Sequence, residues 1–524
     1  MSAEGLTIVL DRLRDYVASA SWTELSALAL GAIVLFNLLS PPPPRVPGAP
    51  VYGYRSKWEP SLLLRLRYVF GANEIIASGY QKLKDVPFVV RRWDTDVTVL
   101  PIKYLEETRL YAREKLTGRL PPARSLVPRW TWTGFLLDSD LHIAALKSKL
   151  NPSLNKFIEI TKGELDYSWD IEVPQPDDWT ETDIQKVIRN LVARTSAKVF
   201  VGYPACRNPE WLRISVEFTY DVFTAAFTLR MFPPWTHAFV APFVPARWRL
   251  RRQLRIAKKV IGDLMRSHRE AVANGIEPED TLLDWMMENG SPKENLLPEM
   301  AGRQCILTLA AIHTTSSTVS NVLFDLCDNP EWIPVLREEV EQVTKECGYL
   351  GERDDIQAKQ WLHKLEKMDS FVVESQRHNA PILLRPQRVA MESMTLKDGT
   401  HIPKGAQVGW AGHDHSNDGD VISSSNPSLF DPMRNYRRRH ADGGANKNNF
   451  IAGQTDLSSL SFGYGSQACP GRYFAISQIK LILARLLIEF EFSFIPGAER
   501  PKNSYVEENV CIDPYAKLMV KRRA

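Results

Sequence analysis

The most regular spacing of apolar positions lies near the C-terminal end of the chain, in and just after residues 462–487. Apolar side chains recur there every three or four residues, which predicts one face of an amphipathic helix. They are Ile479, Ile482, Leu483, Leu486, Leu487 and Phe490. A loop with Gly463 and Gly465 precedes this helix, and Cys469 and Pro470 join the two. Because a proline at the first helical position is preorganised for that turn, we expect Cys469 at or beside the N-cap.

Similar patterns predict further helices and several short strands. The other helical segments are residues 181–200, 209–231 and 294–325. The strand candidates are residues 86–93, 97–101 and 381–388, with a hairpin over residues 394–408 that turns at Asp398-Gly399. Residues 415–447 are rich in Ser, Asn, Asp, Arg and Gly and are predicted to form a wrapped surface loop. No long flexible linker interrupts residues 51–524, so we expect one large globular unit there.

The N-terminal region carries a segment that does not fit a globular fold. Residues 22–40 are mostly apolar with the single charge Glu24, and their length is about the 20 residues that a helix needs to cross a bilayer. A cleaved signal peptide would show a basic start and a small-residue cleavage site, neither of which is evident. A buried core helix is the other alternative. We interpret residues 22–40 as a membrane anchor and the proline-rich residues 41–50 as a stiff spacer.

Charge on either side of this segment predicts its orientation. Residues 1–21 balance acidic and basic side chains, whereas the residues after the anchor are mostly basic; these are Arg45, Arg55, Lys57, Arg65 and Arg67 against Glu59. By the positive-inside rule, the large C-terminal body lies in the cytosol and residues 1–21 lie in the lumen.

A second apolar stretch, residues 231–245, is interrupted by four prolines and is too short to span a membrane. It either packs into the core or forms a surface patch that dips into the bilayer. We favour the patch because a basic run follows at once. An apolar substrate would then reach the protein from the lipid.

Composition narrows the class of protein. The chain has 524 residues and a net charge of +3, with 24% charged residues, so nothing points to nucleic acid. Six cysteines are spread from Cys206 to Cys511 without a framework spacing, which indicates reduced thiols and a cytosol-facing body.

Cys469 is the candidate centre of the chemistry. At a helix N-terminus, the dipole and backbone N–H groups are expected to lower the pKa of its thiol and favour the thiolate. Such a thiolate could act as a nucleophile, a redox thiol or a metal ligand. The lack of a second cysteine nearby argues against CxxC redox chemistry and against zinc. A nucleophile would need a paired histidine, which the sequence alone cannot identify.

The loop resembles the haem-binding loop of the cytochrome P450 superfamily, whose pattern is F-x-x-G-x-R/H-x-C-x-G. Phe462, Gly465, Cys469 and Gly471 match this pattern, and Gln467 stands where the family has a basic residue. The resemblance implies a mainly α fold with small β-sheets, haem b as cofactor, and Cys469 as the axial ligand of its iron. Gln467 could donate a hydrogen bond to a haem propionate but could not neutralise it.

A second motif lies in the helix predicted for residues 294–325. The family pattern A/G-G-x-D/E-T-T/S is matched with two departures, Ala311 for glycine and His313 for the acid. The resemblance assigns Thr314 to holding a water and relaying a proton during oxygen activation. His313 either replaces the acid in that relay or only fills space. Small residues at Ala310 and Ala311 would let the helix pass close to a flat cofactor and line the substrate pocket.

The other family features are an ion-pair lock, pocket walls and a propionate contact. Glu374 and Arg377 match E-x-x-R, and Arg434 completes the F-x-P-x-R segment, so the three are expected to lock the fold around the cysteine loop. Ile382 and Leu383, with Leu384, are expected in the wall of the pocket, and residues 129–137 are a candidate substrate-facing loop. Lys147 is the candidate contact to a haem propionate, with His142 and Lys149 beside it.

The resemblance implies a monooxygenase that oxidises an apolar small molecule. The residues of both motifs most resemble those of fungal family members that act on terpenoids or other polycyclic secondary metabolites. Electrons would come from NADPH through a separate reductase, with cytochrome b5 as a further partner, at the endoplasmic reticulum membrane. Basic residues that could dock the reductase are Arg434, Arg437, Arg438, Arg439 and Lys447. The alternatives are a haem-thiolate isomerase or peroxygenase that needs no reductase, and a non-enzymatic haem protein that binds a hydrophobic ligand.

Overall fold

The computed structural model describes residue 31 and residues 42–348, 357–441, 443, 446 and 448–523. The predicted anchor at residues 22–40, apart from residue 31, and the segment 1–21 lie outside the described residues. Within the described ranges, no helix is both long and apolar enough to cross a membrane.

Helices make up most of the described chain. They are α1 (Ser61–Lys82), α2 (Lys103–Thr108), α3 (Leu120–Ser125), α4 (Pro128–Thr131), α5 (Phe135–Asp138), α6 (Leu141–Ala145), α7 (Leu154–Glu172), α8 (Ile184–Phe200), α9 (Pro209–Arg230), α10 (His237–Val240), α11 (Pro245–Ala273), α12 (Leu282–Asn289), α13 (Leu297–Asp328), α14 (Trp332–Cys347), α15 (Ala358–Lys364), α16 (Glu366–His378), α17 (Gly412–Ser416), α18 (Gly419–Ile422), α19 (Arg434–His440) and α20 (Arg472–Glu489). The long helices agree with the segments predicted from periodicity.

The strands are short and form small sheets. They are β1 (Phe88–Arg91), β2 (Asp96–Val99), β3 (Leu116–Thr117), β4 (Thr180–Thr182), β5 (Gln387–Ala390), β6 (Met394–Thr395), β7 (His401–Ile402), β8 (Gln407–Gly409), β9 (Phe490–Ser493), β10 (Ser504–Val506), β11 (Asn509–Cys511) and β12 (Leu518–Arg522). The largest sheet has the order β1-β2-β8-β5-β3, and β4-β12-β9 form a second sheet. In the first hairpin Phe88 pairs with Val99, and the hairpin predicted at Asp398-Gly399 is present as β6 and β7.

Helices α13 and α20 form the centre of the main core. Helix α13 packs against α8, α9, α11 and α20, and the apolar side chains of these helices form one continuous cluster. Helix α20 is buried on nearly all sides rather than on one face, so its prediction as an amphipathic helix is wrong. Its Lys480 is accommodated because the ammonium pairs with Asp369 at 2.8 Å.

Two further predictions need correction. Residues 381–388 do not form a continuous strand: β5 begins at Gln387, and Ile382 makes only an isolated bridge to Asn509. A proline at position 386 lacks a backbone donor, which shortens the ladder. The segment 415–447 is not all loop, because its described part contains α18 and α19.

Candidate functional site

The loop before Cys469 is held in a left-handed backbone conformation at two glycines. Gly463 has a φ of 75° and Gly465 a φ of 72°, a region that favours glycine. A side chain at Gly465 would also place its Cβ 2.5 Å from the carbonyl oxygen of Arg109. The loop closes with a hydrogen bond of 2.8 Å from the backbone N–H of Cys469 to the carbonyl of Phe462. Glycine is therefore required at Gly465 on both steric and conformational grounds.

The N-cap of α20 is Gly471 and the helix begins at Arg472, so Cys469 lies two residues before the N-cap; the expectation that Pro470 is the first helical residue, with Cys469 at or beside the N-cap, is wrong. Burial raises the pKa of the Cys469 thiol above its ordinary value, although the charge of Arg385 and the backbone N–H groups of Gly471 and Arg472 act in the opposite direction. The expectation of a lowered pKa is therefore wrong for the protein alone. Protein atoms crowd around the thiol although the side chain itself remains accessible, and sequence spacing does not reveal that crowding.

The middle of α13 presents a strip of small accessible residues inside an otherwise buried helix. Ala310 and Thr314, one turn apart, are exposed, while neighbours such as Ile312 and Thr315 are buried. The Thr314 hydroxyl donates to the carbonyl of Ala310 at 2.7 Å. One turn further on, the Thr318 hydroxyl donates to the carbonyl of Thr314 at 2.9 Å. Ala311 is half-buried against the main core, so it is less accessible than Ala310.

His313 occupies the position of the family's acid and contacts α9. Its Nε2 lies 3.0 Å from the carbonyl oxygen of Val216, and its ring meets that of Tyr220 edge to face with centroids 4.8 Å apart. Burial lowers the pKa of His313, and the hydrogen bond to Val216 offsets this only in part. The imidazole is therefore neutral near pH 7, with its Nε2–H donated to Val216.

The structure brings together the three residues of the expected lock. Arg377 donates to both carboxylate oxygens of Glu374, at 2.7 and 3.0 Å, and Arg434 Nε lies 3.5 Å from Glu374 Oε2. The backbone N–H of Asp431 donates to Glu374 at 2.8 Å. Burial raises the pKa of Glu374, but the hydrogen bonds from His378 and Arg377 outweigh burial and bring the pKa to about 2.

Gln467 has different partners from those expected. Its Oε1 accepts from the backbone N–H of Gly118 and its Nε2 donates to the carbonyl of Leu116, both at 2.8 Å. Both halves of the amide are thus used to attach the cysteine loop to β3. A propionate would have to compete with these bonds for the amide N–H.

Lys147 lies beside the cysteine loop, where its Nζ donates to the carbonyl of Ser466 at 3.2 Å. Burial lowers the pKa of Lys147, and the positive charge of Arg113 contributes in the same direction. Phe462 is half-buried against the main core. His142 is buried, and its Nδ1 has no hydrogen-bond partner within the described chain.

The three expected wall residues after α16 differ in their surroundings. Leu383 and Leu384 are 2% and 1% exposed and pack in the core cluster beneath the largest sheet, together with Leu64 and Val90, so Leu384 is not a wall residue. Ile382 is half-buried and lines a small cavity together with Arg385 and Leu460. Leu383 is therefore a core residue, and only Ile382 borders open space.

Sequence reasoning missed Arg385, which is close enough to Cys469 for their charges to interact. Its Nη1 donates to the carbonyl of Ser461 at the start of the cysteine loop. Burial lowers the pKa of Arg385, and the Cys469 charge opposes this. The only available signal was an arginine in an apolar run, which by itself is not specific.

The residues around Cys469 fit a haem. A Cβ built on Gly471, two residues after Cys469, would meet nothing within 4 Å, and the Cys469 side chain is itself exposed. The cations Arg385 and Lys147 lie near the same loop and could neutralise propionates. A thiol bound to iron is deprotonated by the metal, which overcomes the raised pKa of the free thiol. No group of three or more His, Cys, Asp or Glu in the described ranges forms an alternative metal site.

Comparisons with known proteins agree with this chemistry. The model of the family described as Cytochrome P450 matches residues 141–518. Similar proteins include the cytochrome P450 monooxygenase ATR4 of Stachybotrys chlorohalonatus, 46% identical over 98% of each chain, and ent-kaurene oxidase P450-4 of Gibberella fujikuroi, 37% identical over 97% of each chain. The solved structure of cyanobacterial CYP120A1 with retinoic acid bound is similar in fold, with a TM-score of 0.64 and 18% identity over 92% of this chain and 100% of that chain.

A helical fold with small sheets and a cysteine loop of this pattern defines a haem-dependent oxidoreductase. The chain belongs to the cytochrome P450 family, and its curated relatives are monooxygenases of fungi. The predictions of the family, of a mainly α fold with small β-sheets and of the enzyme class are confirmed, and the N-terminal transmembrane helix stays a prediction.

Proposed function

We propose that this protein is a monooxygenase of secondary metabolism that oxidises an apolar, polycyclic or terpenoid substrate with O2 and electrons from NADPH. The observation that carries this proposal is the accessible thiol of Cys469, which lies in a glycine-rich loop with the family's pattern. The same chain also presents the accessible residues Ala310 and Thr314 on helix α13. The substrate class follows from the relatives, one of which is named ent-kaurene oxidase. Bound haem b would supply oxygen binding and electron transfer.

Each residue of the site has a role in this proposal. Cys469 holds the iron, Gly471 and Gly465 leave room for the loop to approach it, and Phe462 packs the loop onto the core. Arg385 and Lys147 hold the propionates. Thr314 carries the hydroxyl that leaves its bond to Ala310 to hold a water and donate a proton. Ala310, Ala311 and Ile382 border the space for the substrate, and Glu374, Arg377 and Arg434 fix the surrounding chain.

We further propose attachment to the endoplasmic reticulum membrane with the catalytic body in the cytosol. Large apolar side chains are exposed between α9 and α11: Trp235 is 54% exposed, Phe239 73% and Phe243 85%. Leu63, Leu66 and Phe70 are also exposed on α1. Exposed apolar groups on this scale favour contact with lipid, which supports the anchor proposed at residues 22–40.

The partner that delivers electrons is proposed to be NADPH-cytochrome P450 reductase, with cytochrome b5 as a second donor. The basic residues first considered for its docking do not all suit this role. Arg439 is 1% exposed and pairs with Glu366, Arg434 belongs to the lock, and Lys447 lies outside the described residues. Arg109, an exposed cation whose backbone carbonyl accepts from Ser466 of the cysteine loop, is the better candidate.

The test is oxidation of diterpene and triterpene scaffolds by microsomes that contain this protein and a reductase, read by product mass. We expect NADPH-dependent products and a carbon monoxide difference spectrum of a thiolate-ligated haem. Cys469→Ala should abolish both, whereas the control Cys511→Ala, at another exposed and free cysteine, should keep both. A colourless wild-type protein, or pigment and turnover that survive Cys469→Ala, would refute the proposal.

A second candidate is a peroxide-using or isomerising enzyme on the same scaffold. It is favoured by His313, which replaces the acid and is bound to Val216 instead of standing free beside Thr314. Full turnover with peroxide alone and no dependence on NADPH would establish this alternative.

A further inference from the structure

A groove of about 840 Å³ lies between the α4–α5 segment, helix α11 and the start of α13. Its inner wall is apolar, with Trp132, Phe135 and Leu254 among the lining residues. Phe135 is seated tightly on α13, because a Cβ on Gly302 would come within 2.6 Å of its ring. The volume is in the range of small-molecule sites. The groove thus joins a ligand-sized space to the helix that carries Thr314.

The rim of this groove is strongly basic. Arg251, Arg255 and Lys258 follow one another at helical spacing on α11, and Arg129 faces them from α4. Within the described ranges, none of these four side chains has a carboxylate within 4.0 Å, whereas Arg249, Arg266 and His268 of the same helix each do. All four are exposed. Their charge is therefore available to a ligand.

The two acids of the groove do not cancel this charge, because each already has another partner. Asp138 pairs with Lys293 at 3.1 Å, and Glu299 lies 3.5 Å from Arg303. Arg303 is itself buried beside Phe135, with its guanidinium carbon 5.1 Å from the ring centroid. Its Nε and Nη1 have no hydrogen-bond partner in the described chain. The inner wall is thus backed by a further positive charge.

We propose that this groove binds an amphipathic organic anion, whose carboxylate meets the cations of α11 while its apolar body lies against Trp132 and Phe135. Arginine side chains recognise carboxylates through paired N–H donors, and an aromatic wall accommodates a ring system. The ligand is a substrate or product that carries a carboxylate, held on its way to or from the haem. This part of the proposal rests on the proposed function.

The test uses abietic acid and its methyl ester, which share one apolar body and differ in charge. Binding to the full-length holoenzyme in zwitterionic nanodiscs is measured by equilibrium dialysis. The variant Arg251→Glu/Lys258→Glu reverses two groove cations, and the control Arg252→Glu/Lys259→Glu makes the same change at the adjacent exposed positions, which do not line the groove. We expect the groove variant to bind the acid about tenfold more weakly, because two exposed charge interactions, each of modest strength, are reversed. The control and the ester should be unaffected.

Salt gives a second readout. Raising the ionic strength from about 0.02 M to about 0.5 M should weaken binding of the acid to wild type but not binding of the ester. Equal affinity for acid and ester, or equal loss in both variants, would overturn the proposal. Competition by inorganic phosphate at the same concentration would mean a simple anion site. Loss of binding to phosphatidylserine vesicles with unchanged binding of the acid would mean a lipid contact instead.

The test of the groove can be separated from the test of the proposed monooxygenase function. Carbon monoxide spectra and NADPH-dependent oxidation of a neutral scaffold are recorded on the same preparations. A normal spectrum and normal oxidation with no preference for the acid would remove the groove proposal alone. A missing thiolate spectrum would remove the proposed function, while dialysis would still report on the groove.

Discussion

The imidazole of His313 is bonded through Nε2 to the carbonyl oxygen of Val216 at 3.0 Å, which ties α13 to α9 beside Thr314. A carbonyl only accepts, so the proton is on Nε2 and the ring acts there as a donor. The bond directs this side chain toward the neighbouring helix. Of the two roles left open by the sequence, the geometry favours the structural one.

For His313 we expect a packing phenotype. His313→Leu should lower the free energy of unfolding by about 0.5–1.5 kcal/mol, because the part-buried hydrogen bond to the Val216 carbonyl is lost. His313→Gln, whose amide can still donate, should lose less. Thermal unfolding of the holoenzymes measures both. Because the folded pKa of His313 is lowered, its stabilising contribution is complete above the ordinary value of 6.5 and falls as the pH drops below it. A Leu variant as stable as wild type would contradict the structural role.

For Thr314 we expect an effect on coupling rather than on folding. Its hydroxyl bonds to its own helix at Ala310, so Thr314→Ala removes no contact between helices. Coupled product should fall about 100-fold, the lower end of what a positioned proton donor contributes, while hydrogen peroxide release rises. Thr314→Ser should keep most of the coupling. The comparison is product formed per NADPH consumed.

Thr318→Ala is the matched control for this experiment, since Thr318 makes the same kind of bond one turn away. Its coupling should stay near that of wild type. Equal coupling in Thr314→Ala and wild type would contradict the role of Thr314 in proton delivery.

For Gln467 we expect loss of stability on truncation. Gln467→Ala leaves the Gly118 N–H and the Leu116 carbonyl without partners, at a cost of about 1–3 kcal/mol. Gln467→Arg should add a charge for a propionate but cannot accept from Gly118. Haem retention during dialysis and thermal unfolding of the apoprotein separate the two effects. Gln342→Ala, at an exposed glutamine, should change neither.

The extent to which sequence predicted this site differs from residue to residue. Glu374, Arg377 and Arg434 could be grouped because the family's motifs have fixed spacing, and the structure brings them together. The long helices and the hairpin of β6 and β7 follow from local periodicity and turn chemistry. The direction in which the pKa of Cys469 is shifted and the burial of Leu383 could not be predicted, because both depend on which distant segments pack around these two side chains.

Contacts between distant segments explain the other misses. Arg385 approaches Cys469 only because residues 381–386 run irregularly past the cysteine loop. The amide of Gln467 is hydrogen-bonded to the backbone at β3, which lies about 350 positions earlier in the chain. The cations of the groove are spread over α4 and α11, so a linear pattern does not join them. Local residue spacing predicts helices and strands. The partners of a side chain in distant segments become visible only in the folded structure.

The lock at Glu374 predicts a dependence of stability on acid pH. Its folded pKa is about 2 against an ordinary value of 4.5, so the stabilisation is complete above pH 4.5 and is lost as the pH falls toward 2. The difference corresponds to roughly 3 kcal/mol at neutral pH. Glu374→Gln should therefore be less stable than wild type at pH 7 by about that amount, and should lack this part of the acid-induced decrease.

Glu338→Gln is the control for Glu374, because Glu338 is exposed on α14 and has no ion-pair partner within 4.0 Å in the described chain. Denaturant unfolding of the haem-loaded proteins between pH 2 and pH 7 gives the comparison. The control should follow the wild-type curve, while Glu374→Gln should approach wild type only at the acid end, where the native carboxylate has also become neutral. Coincident curves for all three proteins would show that the Glu374 carboxylate contributes nothing to folding.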